Sequence, residues 1–81
     1  MDFGQALAKL HKGKRVARAE WDGSGTWLLL VKGWTVDVQH ETVLHGLLPV
    51  PWIGMKTSTL DFVPWQPTHR ALLAQDWTVI E

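Results

Sequence analysis

The sequence predicts an α+β fold, a small antiparallel sheet with an N-terminal helix and a short C-terminal helix, built as one domain over residues 1–81. Three observations predict it. Apolar residues recur at helical spacing only near the N-terminus; from Val16 onward, short stretches alternate or run apolar at strand length; and Gly, Asp, Ser and Pro separate these stretches at hairpin distances. The order helix, strands, short helix, strand places the helices on one face of a mostly antiparallel sheet.

The first helix spans Asp2 to Lys12, where Phe3, Ala6, Leu7 and Leu10 share one face. Asp2 is positioned to cap its first turn, with Gln5 reaching back as in a capping box, and Gly13 supplies the left-handed residue that ends it. Val16 to Trp21 alternates as a strand, with Ala17, Ala19 and Trp21 on one side and Val16, Arg18 and Glu20 on the other. Asp22-Gly23-Ser24-Gly25 is a turn. Trp27 to Lys32 is an apolar run of strand length, and Gly33 joins it to an alternating arm carrying Trp34, Val36 and Val38, so the two read as a hairpin.

From Gln39 to Pro51 the pattern lapses into a leucine-containing loop expected to pack against the domain or a neighbour. Trp52 to Trp65 returns to strand character, with Ile53 and Met55 on one face of the first arm and Leu60 and Phe62 on one face of the second. Pro51 and Pro64 mark strand ends or edges. Thr68 caps a short helix through Gln75, and Trp77 to Ile80 is the last strand.

Composition narrows the functional classes. The 81 residues bury only roughly 60–65% of their unfolded surface, and without cysteine they have neither disulfides nor thiolate zinc sites to add stability. Self-association is the remaining common source of buried surface, so a homo-oligomer is expected. Eight basic residues balance eight acidic ones, which disfavours nucleic-acid polymers as partners while leaving room for a small anion held by one or two cations. No run approaches the roughly 20 apolar residues of a membrane span, and no signal-peptide pattern opens the chain, so the expectation is a cytoplasmic protein with no membrane partner. Six tryptophans and no tyrosine supply rings for core, interface or ligand stacking. Trp34 and Trp77 are assigned to packing, Trp27 and Trp52 to core or interface, and Trp21 and Trp65 to a ligand.

Catalytic machinery is not visible. His40, Glu41 and His45 lack the four-residue histidine spacing of a zinc-protease helix, and a looser metal set of Asp37, His40 and His45 matches no familiar ligand spacing. Gly23 and Gly25 lack the third glycine and the context of a dinucleotide fingerprint, and neither Ser24 nor Ser58 stands in a nucleophile elbow. No catalytic residue, metal or cofactor is expected, and the chain reads as a binder, not an enzyme. The stretch Trp52 to Thr57, together with Val63-Pro64-Trp65 and Thr68, gathers a cation, hydroxyls and rings suited to phosphate, ribose and base. An amphipathic hairpin with Lys56 in water accounts for the same spacing.

At these residues the chain resembles a family of small phage proteins, the Thoeris anti-defence sponges. The resemblance is carried by Phe3-Gly4-Gln5-Ala6-Leu7, Lys12-Gly13-Lys14 with Arg18 and Trp21, Trp27-Leu28, Met55-Lys56-Thr57, Val63-Pro64-Trp65, and Leu72-Leu73-Ala74 leading to Asp76-Trp77. It implies a tetrameric protein with pockets between protomers. Such a protein captures a cyclic nucleotide immune signal, chiefly glycocyclic ADP-ribose and in some relatives cyclic dinucleotides, inside an infected bacterium. The implied ligand-binding residues are Arg18 and Lys56 for phosphates, Trp21 and Trp65 for stacking, Thr57 and Thr68 for hydrogen bonds, and Met55 beside them.

Two positions depart from the family pattern. Thr59-Leu60 stands where relatives carry Asp-Gly; Leu suits a positive φ poorly, so a different turn is expected. Ala71 stands where relatives often carry an acidic residue, which leaves the cargo open. The alternatives to a sponge are a protein-interaction module without a small ligand and a cyclic-nucleotide hydrolase using Asp37, His40 and His45.

Overall fold

The computed structural model describes residues 1–32 and 50–80. The expected strand at 34–38, the loop at 39–49, the packing role of Trp34 and the metal candidates Asp37, His40 and His45 lie outside the described residues.

Helix α1 (Phe3–His11) starts as the sequence predicts. The Asp2 carboxylate accepts from the Gln5 amide at 2.8 Å and the Gln5 side chain accepts from the Asp2 amide at 3.0 Å, closing the capping box. Gly13 follows at φ 82°, and the Gly13 and Lys14 amides close the last turn onto the carbonyls of Leu10 and Lys9. Strands β1 (Arg15–Arg18), β2 (Trp27–Val31), β3 (Trp52–Lys56), β4 (Phe62–Pro64) and β5 (Trp77–Ile80) form an antiparallel sheet in the order β4-β3-β2-β1-β5, with the short helix α2 (His69–Leu72) before β5. This is the predicted α+β arrangement. No helix among the described residues is long and apolar enough to cross a membrane.

Both helices lie on one sheet face, where Ala6, Leu10, Val16, Leu28, Ala71 and Trp77 form the core and Ile53, Met55 and Val79 pack against it. Each fully buried aliphatic side chain contributes about 1.5–3 kcal/mol, so a core this thin depends heavily on Trp77. Its ring is 1% exposed, and its indole N–H donates to the Ala71 carbonyl at 2.9 Å, so burial leaves no unpaired donor. The Thr68 hydroxyl accepts from the Ala71 amide and caps α2.

Three expectations need correction. The strand predicted for Val16 to Trp21 ends at Arg18, and Ala19–Trp21 is a 3₁₀ turn. The cause is tertiary: the Ala19 amide donates to the Asp76 carbonyl, and Asp76 also holds the Arg18 side chain and the Glu20 amide. Leu60 does not share a strand with Phe62; it occupies the turn at φ 69°, the left-handed region thought unsuited to it. The Thr57 hydroxyl accepts from the amides of Thr59 and Asp61 and holds the loop in that shape. The C-terminal helix covers only His69–Leu72, because the Leu72 and Leu73 amides close its single turn before the chain bends into β5.

Candidate functional site

The opposite sheet face carries no described helix. Register places Trp27 across from Lys56 and Lys56 across from Phe62, while Ala17 pairs with Thr78 and Arg15 with Ile80. Side chains alternate along each strand, so all of these residues point away from the core. At the β1–β2 end of this face is an open groove of about 570 Å³, within the size range of small-molecule sites. Arg15, Ala17, Trp27 and Lys56 line its floor, Thr78 and Ile80 one wall, and the turn from Trp21 to Gly25 its rim.

Cations are positioned by specific partners. The Arg18 guanidinium binds both Asp76 oxygens, at 2.9 and 3.4 Å, and also Glu20, whose other oxygen takes Arg70. The hydrogen bond to Asp76 is the main cause of a raised Arg18 pKa, and the same bond holds the Asp76 carboxyl below its ordinary value. Lys56 donates to the Gly25 carbonyl at 2.8 Å and pins the rim loop to β3. Arg15 lays its guanidinium 5.2 Å from the centroid of the Trp27 ring.

The residues the sequence singles out divide between the two faces. Arg18, Trp21 and Lys56 border the groove. Met55 and Trp65 both pack against the core, Trp65 with its ring 5.6 Å from Phe3 and edge-on to Trp77 at 5.8 Å. Thr57 serves the β3–β4 turn, and Thr68 caps α2. Trp21 belongs to both sides, lining the groove while meeting Trp77 edge-on. Position 71 is in the core cluster, away from the groove.

Sequence reasoning missed Arg15, Ala17, Thr78 and Ile80 and left Trp27 between core and interface. The available signal was the two-residue period itself: Arg15 and Ala17 flank the apolar Val16, and Thr78 and Ile80 flank Val79.

Over residues 1–80 the chain matches the Tad2-like family, described as the Thoeris anti-defense 2-like domain. It is similar to Thoeris anti-defense 2 of Bacillus phage SP01, with 27% identity over 84 residues covering 99% of this chain and 94% of that protein. The chain therefore belongs to the Thoeris anti-defense 2-like family and takes with it a phage anti-defence role.

Proposed function

We propose that the protein acts as a sponge, binding a cyclic nucleotide immune signal without converting it and so denying that signal to the host's defence effector. Glycocyclic ADP-ribose is the first candidate cargo and cyclic dinucleotides the second. The observation that carries this reading is the groove, where indole rings, an apolar wall and three cations, Arg15, Arg18 and Lys56, converge on a space the size of a nucleotide. Stacking surface suits a base, and cations suit phosphates.

In this reading Arg18, Trp21 and Lys56 bear on the ligand from the groove. Met55, Trp65 and Thr68 hold the helix-bearing face that supports Trp21, and Thr57 holds the turn that follows Lys56. The protein works as a homo-oligomer, expected to be a tetramer, in the cytoplasm of the infected bacterium where the signal is made. No cofactor is required for capture.

Calorimetry with glycocyclic ADP-ribose and a panel of cyclic dinucleotides tests the proposal, with affinity tighter than micromolar for at least one expected. Heating the complex should return that ligand intact. Failure to bind any of them, or recovery of a cleaved product, overturns it.

A second reading, a protein-interaction module, draws on the aromatic strip beside the groove, where Trp52 and Phe62 lie 5.8 Å apart and are 37% and 42% exposed. It predicts a protein partner and no effect of nucleotides on the melting temperature.

A further inference from the structure

One line of side chains crosses the open face: Thr78 on β5, Ala17 on β1, Trp27 on β2, Lys56 on β3 and Phe62 on β4. Ala17 stands one step along from the Val16–Leu28 pair and so beside Trp27. Four members of this line carry bulk, and Ala17 carries one methyl group. The floor therefore dips at Ala17, between Trp27 and the wall of Thr78 and Ile80. The Thr78 hydroxyl is occupied by the Ala17 carbonyl at 3.3 Å, which leaves that wall largely apolar.

The cations around this dip differ in how far they are already committed. Arg18 is neutralised by Asp76 and Glu20, and Lys56 donates a hydrogen bond to the Gly25 carbonyl. The Arg15 guanidinium lies over the Trp27 ring, and its side chain donates no hydrogen bond among the described residues. A guanidinium over an indole ring, with no carboxylate partner among them, keeps N–H donors of its planar fork for an anion, and that fork can receive two phosphate oxygens together.

We infer that Ala17 and the Arg15–Trp27 pair form a slot for one flat base, with Arg15 reading the adjoining phosphate. This inference rests on the nucleotide-binding reading above and assigns the reading residue within it. The base lies over the Ala17 methyl group between Trp27 and the Thr78–Ile80 wall, and its phosphate reaches the Arg15 fork. Lys56 supplies a second cation once it leaves the Gly25 carbonyl. Ala17 sets which rings enter, and Arg15 sets the requirement for negative charge.

The test is calorimetry with glycocyclic ADP-ribose and cyclic di-GMP on the wild type, Ala17→Leu, Ala17→Ser and Arg15→Gln, with thermal unfolding of each. Ala17→Leu should fill the dip and lose at least about tenfold in affinity, while Ala17→Ser stays within about twofold. Arg15→Gln keeps the stem and loses the charge-assisted fork, so binding should fall about 10- to 100-fold with an unchanged melting temperature. Wild-type affinity in both Ala17→Leu and Arg15→Gln overturns the slot. If Ala17→Leu does not fold, Arg15→Gln decides alone. If the wild type binds neither cyclic nucleotide, the sponge reading fails separately, and ADP at millimolar concentration then probes the slot by NMR. Shifts of the Ala17 methyl and Trp27 indole signals, suppressed in Arg15→Gln, support the slot; no shifts overturn it.

Discussion

Trp21 meets Trp77 edge-on, with ring centroids 5.4 Å apart and planes at 83°. One ring lines the groove and the other is the largest buried side chain of the core, so the site wall and the hydrophobic core are in direct contact. The contact exists because the 3₁₀ turn after β1 swings Trp21 over the end of the sheet. An aromatic pair of this kind is worth about 0.5–1.5 kcal/mol beyond the area it buries.

Trp21→Ala should therefore cost both stability and binding. For a half-buried ring the expected loss is about 1–3 kcal/mol in urea unfolding, below the value for a fully buried Trp. Trp21→Phe should recover most of the stability. An unchanged urea midpoint in Trp21→Ala would show that the Trp77 contact contributes nothing.

Asp76 should govern the acid limb of stability. Its hydrogen bond with Arg18 lowers the folded-state carboxyl pKa below the ordinary Asp value of about 3.9. A depressed folded pKa gives stability that is fully present above the unfolded value and is lost as pH falls through the folded one. Unfolding free energy should accordingly fall below about pH 4, and Asp76→Asn should be less stable than wild type at pH 7 with a flatter acid limb. Parallel pH profiles for the two proteins would contradict this assignment.

Leu60 stores backbone strain at φ 69°, on an exposed turn where its side chain is 80% accessible. The left-handed conformation costs a β-carbon-bearing residue about 1–2 kcal/mol, and the greater freedom of glycine in the unfolded chain offsets part of the relief. Leu60→Gly should stabilise by about 0.5 kcal/mol, read as a higher melting temperature, and Leu60→Val should destabilise. A lower melting temperature for Leu60→Gly would place the controlling contact in the Leu60 side chain.

Gly54 is required by its neighbour. A β-carbon there would lie 2.1 Å from the Phe62 ring, which covers the glycine on the open face. Phe62 is partly exposed and can swing away, so Gly54→Ala should displace the ring without unfolding the sheet. NMR should show altered Trp27 and Trp52 indole signals, since both rings neighbour Phe62, at 6.4 and 5.8 Å. Unchanged indole signals would mean that Phe62 is not the aromatic bridge between them.

Loss of the Trp77 indole donor should be costly. Trp77→Phe removes the hydrogen bond to the Ala71 carbonyl and leaves space in the core, and about 2–4 kcal/mol is expected from the two effects together. Denaturant unfolding measures it directly, and a cost under about 1 kcal/mol would show that the core closes around the smaller ring.

Local signals alone determined much of this protein. The capping box fixed the start of α1, Gly13 its end, and the spacing of Ala6 and Leu10 its buried face, because helix chemistry is decided within a few residues. The alternation around Ile53 and Met55 gave β3 its inward face in the same way. Tertiary structure decided the rest. Asp76, 58 residues beyond Arg18, ended β1 and made the turn that carries Trp21, a contact that no local pattern contains. Trp65 and Trp21 were equivalent as sequence, and both pack on Trp77, yet Trp65 also meets the Phe3 ring of α1 while Trp21 lines the groove. Arg15, Ala17 and Thr78 became one surface only through strand register, since a two-residue period tells which side chains share a face but not which strands stand beside each other.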